Sequence, residues 1–308
     1  MKVSIATRGS KLALWQAEHV KKLLESHHKN LEVEIKIYKT TGDKILDIPL
    51  AEIGGKGLFT KEIEEALLRG EAQIAVHSLK DFPIDFADNF LLSAITKRED
   101  IRDSLLSEKY SHIEDLPIGA VVGTTSLRRK MQILNYREDL VIKNLRGNVN
   151  TRIQKLKDGE FDAIILAQAG VNRLGLDKLV KFVSTIDTNI MIPPMGQASL
   201  GIETIKDAKI EKLVSVLNDE SAFIETKIER DFIEVLNGGC QVPIGVSAVL
   251  NGNEIKVKAI VGMPDGSEML REEINATKKE YETLGKKLAN IMVKKGAKEL
   301  LEKSLKMS

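Results

Sequence analysis

The sequence predicts an α/β fold: two α/β domains followed by a C-terminal α+β domain with an antiparallel sheet. Three observations carry this. Strand-like and helix-like segments alternate through the first two-thirds of the 308 residues. The alternation starts afresh at Ala120. The last third changes to strand segments joined by turn signals. Strand–helix alternation implies sheets of parallel strands flanked by helices, whereas close turns join antiparallel strands.

Lys2–Ala6 reads as a strand and Lys11–Leu24 as a helix, with Ser10 as its cap and Ala13, Ala17, Val20 and Leu24 on one face. In Leu31–Ile37, apolar residues alternate with Glu, Glu and Lys, the mark of a half-buried strand. Leu58–Arg69 reads as a helix and Gln73–Val76 as a short strand. The charged stretch Thr96–Asp103 is the expected link to the second domain. There, Ala120–Val122 is a strand, Thr124–Ser126 caps a helix to Asn135, and Leu140–Asn144 is a strand before a helix ending at Leu156. Asp162–Leu166 and Gln168–Leu174 form the next strand and helix. Ile190–Pro194 and Gly201–Ile205 read as a return to the first domain. Domain 1 is therefore expected over residues 1–98 and 195–218, domain 2 over 99–194, and the C-terminal domain over 219–308. That last domain opens with a helix at Ser221–Leu236. Its strands, Val246–Leu250 and Glu254–Val261, meet at the hairpin signal Asn251-Gly252-Asn253. The turn Met263–Gly266 precedes Glu268–Ala276, and an amphipathic helix begins near Lys279.

Composition bounds the function. Hydrophobic residues at 43% and charged residues at 30% fit a globular chain. A net charge of +1 and 4% aromatics argue against a nucleic-acid face or a base-stacking platform. A single cysteine excludes a disulfide framework, and His19, His27, His28, His77 and His112 show no ligand spacing, so no metal is expected. The apolar run at the N-terminus is too short for a signal peptide, and no segment reaches the ~20 apolar residues of a membrane span. A cytoplasmic monomer with no nucleic-acid or membrane partner is the expectation.

The chemistry-bearing residues cluster after strands. Thr7-Arg8-Gly9-Ser10, Gly123–Arg129 (with Thr124, Thr125, Ser126, Arg128 and Arg129) and Leu145–Arg152 (with Arg146 and Arg152) fall at strand-to-helix junctions. In open α/β sheets ligands gather there, and a guanidinium fork grips two oxygens of a carboxylate or phosphate. The bland alternative is solvated arginines and helix caps. Gly54-Gly55-Lys56-Gly57 lacks the spacing of a nucleotide loop and reads as a lid bearing Lys56, or as a plain loop. His77-Ser78-Leu79-Lys80-Asp81 follows a strand end and brings Asp81 to the ligand zone. A carboxylate beside cations stays charged and stabilises a developing cation, unless it merely caps a helix. His77 reads as packed or hydrogen-bonded rather than as a base. Cys240, preceded by Gly238-Gly239, is either a small buried hydrophobe or a tether that a bulky group can approach.

These segments together resemble the porphobilinogen deaminase (hydroxymethylbilane synthase) family. The resemblance runs through Ile5–Ala17, Gly54–Glu62, Ala75–Asp81, Gly123–Arg129, Leu145–Arg152, Asp162–Ala167 and Gly238–Gly245. It implies two periplasmic-binding-protein-like α/β domains around a cleft plus the C-terminal α+β domain. It implies a dipyrromethane cofactor held on Cys240 by a thioether. Porphobilinogen units would be joined stepwise with loss of ammonia, and water would release hydroxymethylbilane. By the same resemblance Arg8, Ser10, Ser78, Lys80, Thr124, Thr125, Ser126, Arg128, Arg129, Arg146, Arg152 and Arg173 hold cofactor and substrate. Lys56 and Phe59 border the cleft, and Asp81 is catalytic, offsetting positive charge on pyrrole nitrogens.

Two positions depart from the family pattern. Glu52 stands where lysine is common, and Ala198 where glycine is common, so a lid contact and the return crossing differ here. A non-catalytic two-lobed small-anion-binding protein and a thiol redox sensor are the competing readings.

Overall fold

The structure, a computed structural model, describes residues 1–44, 60–85, 87–239 and 242–306. Glu52, Lys56, Phe59 and Cys240 lie outside the described residues. The chain divides into two compact units, Met1–Glu99 with Ala198–Phe223 and Asp100–Gln197 with Ile224–Ser308.

In the first unit, β1 (Lys2–Arg8) runs into α1 (Lys11–His27), and β2 (Glu32–Tyr38) returns parallel to β1. Ser10 caps α1 by accepting from Ala13 N, and the helix buries Gln16, Ala17, Val20 and Leu24. A short helical turn, Thr41–Lys44, follows β2. Further on come α2 (Lys61–Leu68), β3 (Ile74–Ser78), a 3-10 turn at Leu79–Asp81, and β4 (Phe90–Ile95). The sequence places α2 from Leu58 to Arg69; the described helix is Lys61–Leu68, and residues 58 and 59 lie outside the described residues.

The second unit begins with β5 (Asp103–Ser107), β6 (Val121–Gly123), α3 (Leu127–Tyr136), β7 (Val141–Lys143), α4 (Val149–Lys157), β8 (Ala163–Ala167), α5 (Gln168–Leu174) and β9 (Phe182–Thr185). The chain then returns to the first unit as β10 (Leu200–Ile205) and α6 (Ala208–Val214), and α7 (Glu220–Val235) follows. Residues 190–194, read from sequence as part of the return strand, are not strand.

The two sheets share one plan. Their orders are β2-β1-β3-β10-β4 and β7-β6-β8-β5-β9. In each, the fourth strand runs antiparallel to both neighbours. That strand is the first one the chain makes after entering the unit: β10 after Ala198, β5 after Asp100. The wholly parallel sheets expected from alternation are therefore mixed, because the strand made on entering each unit is not led in by the strand–helix connection that keeps its neighbours parallel. Apolar layers cover both faces. Ile5, Val20, Leu24, Ile74 and Ile202 pack on the α1 side, and Ala6, Ile63, Leu67 and Ala75 on the α2 side. The second sheet repeats this with Leu105, Val122, Ile133 and Ile165 on one face and Leu106, Ile153, Ile164 and Val171 on the other. The two alternating sets reflect the period of two along a strand buried on both sides.

The C-terminal sheet is β11 (Ile244–Asn251), β12 (Glu254–Gly262) and β13 (Met269–Thr277), antiparallel throughout. The hairpin closes at Asn251↔Glu254, where the sequence signal lies. Helices α8 (Tyr281–Lys294) and α9 (Ala297–Leu305) end the described chain. The sheet belongs to the second unit through real contacts: Val246 N donates to Pro193 O at 2.9 Å, and Ile260 and Met269 pack with Met131 and Ile192.

Candidate functional site

Each unit gathers its candidate residues at one edge of its sheet. In the first unit β1 and β3 are parallel neighbours, so Arg8 and Ser78 lie at strand ends on the same edge. The junction after β1 is tightly built. Thr7 Oγ1 donates to Ala13 O at 3.2 Å, and Ser10 Oγ accepts from Ala13 N at 3.3 Å. Buried Gln16 donates from Nε2 to Ser78 Oγ at 2.8 Å, tying α1 to the end of β3. Arg8, Ser10, Ser78 and Lys80 are half-buried and Asp81 is exposed, while Leu79 and Phe82 on either side of the charged pair are buried. Alternating burial thus anchors the turn and points its polar residues outward.

In the second unit β7, β6 and β8 are adjacent and parallel, so their carboxyl ends share an edge. Each is followed by candidate residues: Arg146 and Arg152 after β7, Thr124–Arg129 after β6, and Arg173 after β8. Arginines near the helix starts after β7 and β6, with Arg173 in the last turn of α5, supply cationic groups suited to carboxylates. The loop after β7 is shaped by Gly147, whose φ of +105° would strain any side chain and whose Cβ would lie 2.8 Å from Thr151 Cβ. Gly147 O accepts from Arg152 Nε at 2.9 Å, so that guanidinium is aimed by its own loop. Asn148 caps α4 by accepting from Thr151 N, and Ser126 caps α3 by accepting from Arg129 N. Thr124 Oγ1 accepts from Ser126 N at 3.2 Å, and Thr125 Oγ1 lies 3.4 Å from Leu145 O. Arg146, Arg152 and Arg173 are half-buried.

Arg128 and Arg129 sit differently. Both are buried and converge on one carboxylate, Asp103, with Arg128 Nη2 and Arg129 Nη2 each 2.7 Å from its oxygens. Arg128 also donates to Ile192 O and Arg129 to Ile165 O. Gln197 Nε2 adds 3.1 Å and 2.8 Å contacts to Asp103 Oδ1 and Ile101 O. Gln132 closes the cluster, with its amide oxygen accepting from Ile192 N and its amide NH2 donating to Ile192 O. Burial alone would raise the Asp103 carboxyl; the flanking guanidiniums overcome this and hold it far below the usual range. Two guanidiniums on one carboxylate leave a net positive charge, and Arg129 Nε is buried with no hydrogen-bond partner among the described residues. The sequence expectation for these two arginines is a direct anion clamp, without Asp103. Asp103 opens the strand Asp103–Ser107, whose five residues are all buried although only Leu105 and Leu106 are apolar.

The residues suit a dipyrromethane bearing acidic side arms. An added Cβ at Gly238 would strike Ile244 Cδ1 at 2.7 Å, but at Gly239 it would meet none of the described residues within 4 Å. The described residues therefore leave space beside Gly239, which precedes Cys240. Among the described residues no cluster of histidine, cysteine, aspartate and glutamate could hold a metal ion.

Comparison with known proteins converges on one family. A family model described as "Porphobilinogen deaminase, dipyromethane cofactor binding domain" matches residues 3–212, and "Porphobilinogen deaminase, C-terminal domain" matches residues 223–294. Proteins named porphobilinogen deaminase from Nitratiruptor sp. and Aliarcobacter butzleri are 62% and 58% identical, each over 100% of this chain and over 98% and 99% of their own lengths. Among solved structures, the methionine binding protein MetQ matches at 13% identity and a TM-score of 0.43, covering 72% of this chain and 92% of that one, a likeness too distant to carry an inference.

Proposed function

The chain belongs to the porphobilinogen deaminase family, and on that premise we propose which of its residues carry the reaction. The activity is that of a transferase in tetrapyrrole, and hence porphyrin and heme, biosynthesis, making hydroxymethylbilane from porphobilinogen. Its larger family domain is the one that binds the dipyrromethane cofactor, which supplies the carbon to which new pyrrole units are joined.

Cys240 is the attachment point, through a thioether to its sulfur. The space that the described residues leave beside Gly239 supports this, since a bulky group on the next residue needs that room. Arg146, Arg152 and Arg173 receive carboxylates of cofactor and substrate, with Thr124, Thr125 and Ser126 adding hydroxyl contacts. Arg128 and Arg129 contribute the surplus positive charge behind that edge while Asp103 fixes their forks. Arg8, Ser10, Ser78 and Lys80 do the corresponding work in the first unit, and Lys56 adds a lid contact. Asp81 offsets positive charge developing on pyrrole nitrogens and moves protons at its carboxylate, a fixed charge placed in advance of the reaction.

The single observation that carries this reading is the run of arginines after three adjacent parallel strand ends. The rival reading, a non-catalytic anion-binding protein, leaves the shared edge explained but not the roomy glycine before a lone thiol. Three domains, at residues 1–98 with 195–218, 99–194 and 219–308, form part of the proposal. So does a cytoplasmic monomer that binds neither nucleic acid nor membranes. Its support is a net charge of +1 and the absence, among the described residues, of a helix long and apolar enough to cross a membrane.

Intact-mass measurement of the purified protein and of Cys240→Ala tests the attachment. The wild type is expected to exceed its sequence mass by one dipyrromethane unit and the variant to match its own. Equal deviations in the two proteins would sink the proposal.

A further inference from the structure

We propose that the buried His77–Glu203 pair, with the Phe82 ring laid against the imidazole, is the positioning device for the turn that carries Lys80 and Asp81. The inference rests on the reading of Asp81 as the charge-balancing carboxylate. His77 ends its imidazole 2.8 Å from Glu203, Nε2 to Oε2, and both groups are buried. His77 lies near the end of β3, and Glu203 lies two positions from its direct partner Gly201 on β10. Diagonal neighbours two residues apart share one face of an antiparallel pair. The aromatic ring of Phe82, the first residue beyond the turn, sits 5.0 Å from the imidazole, centroid to centroid.

The chain is thus held on both sides of Leu79–Asp81. Two more contacts fix the turn itself. Leu79 N donates to Ser199 O at 3.1 Å, and the Leu79 side chain occupies the space where a Cβ on Gly201 would lie, 3.1 Å from Cδ1. Phe82 N closes the turn onto Leu79 O at 3.1 Å. The partners described for the two side chains are each other, Phe82 and Glu64, so the pair acts on the site through placement of the chain that runs on from His77.

The pair is a costly way to fill this layer. A buried carboxylate is costly unless it is paired and fully hydrogen-bonded. Glu203 Oε1 is buried with no hydrogen-bond partner among the described residues. Nearby Glu64 has its carboxyl raised by burial, which outweighs the opposing Thr60 hydroxyl, with smaller opposed contributions from Glu203 (raising) and His77 (lowering). An apolar pair in place of both His77 and Glu203 would suit the Ala75 layer as well for stability alone. Retaining the pair makes sense where an imidazole of fixed orientation is needed as the seat for Phe82.

The test is a double-mutant cycle on the holoenzyme. Glu203→Leu should lower kcat about 10- to 100-fold, as sub-ångström to ångström misplacement of a reacting group does, with the covalent adduct unchanged. Glu203→Gln, which keeps an acceptor for the imidazole, should restore most of that loss. In an Asp81→Asn background the same Glu203→Leu change should cost less than about 3-fold, because groups acting as one unit are not additive. A second reading is independent of turnover: amide exchange at Leu79 and Phe82 should speed at least about tenfold in Glu203→Leu, with Ile74 in β3 unaffected. Full additivity with Asp81→Asn, or unchanged exchange at the turn, overturns the positioning role. Normal turnover in Asp81→Asn alone instead removes Asp81 from the reaction, and this proposal falls with it. Should Glu203→Leu fail to fold, Phe82→Leu, which keeps apolar volume and removes the ring, decides the same comparison.

Discussion

Ala198 shows how one methyl group is balanced in this chain. It is buried at 6% exposure and adopts a φ of +79°, a region that disfavours any Cβ. The left-handed conformation costs an alanine about 1–2 kcal/mol. Against that, a buried methyl contributes about 0.8 kcal/mol, and alanine rather than glycine restricts the unfolded chain by a further ~0.4–1 kcal/mol. The three nearly cancel. Ala198→Gly is accordingly expected to change unfolding free energy by less than about 1 kcal/mol, whereas Ala198→Val should lose more than about 2 kcal/mol, since a β-branched residue tolerates that backbone far less. Denaturant midpoints of the two variants check this; a neutral valine variant would contradict it. The family departure noted at this position therefore changes strain and packing together, a compensation visible only once the backbone angle is known.

At the scale of elements, β5 and α3 are joined by charge rather than by apolar packing alone. Asp103 opens β5, Arg128 and Arg129 open α3, and Gln197 reaches the same carboxylate from just before the return crossing. Removing one member leaves uncompensated buried charge, which costs about 3–5 kcal/mol. Asp103→Asn should lose that much, measured by chemical denaturation; a loss under about 1 kcal/mol would show that the arginines find other partners. The pH dependence has a definite sign. The folded carboxyl titrates far below its unfolded value near ~3.9. Its stabilisation is therefore fully present above about pH 4 and disappears as pH falls toward the folded value, and Asp103→Asn should flatten that part of the acid limb. Little of this cluster could be read from sequence. The arginine motif was legible as strand–Ser–helix spacing, but its partner lies 25 positions upstream in a strand too short to show periodicity. β9, Phe182–Thr185, is likewise too short to show periodicity.

Across the whole molecule, the alternation of strand and helix exposed the α/β architecture, and turn residues exposed the C-terminal hairpin, because both depend on local sequence. The mixed strand order was not legible, since it depends on where the chain crosses between units. β10 lies between β3 and β4, so the first sheet is incomplete without residues 200–205. A fragment ending at residue 197 should lack cooperative unfolding of its first unit, while residues 1–99 joined by a flexible linker to 198–223 should regain it. Calorimetry of the two fragments decides, and a sharp transition in the first unit of the 1–197 fragment would refute the dependence. The same insertion has a meaning during synthesis. A ribosome releases residues 1–99 well before the strand that closes their sheet, so the emerging chain must wait with β3 exposed along one side. Such an unpaired edge invites pairing with a neighbouring chain. Pauses in translation before residue 205 would lengthen that vulnerable interval, and a chaperone that shields strand edges would matter most there.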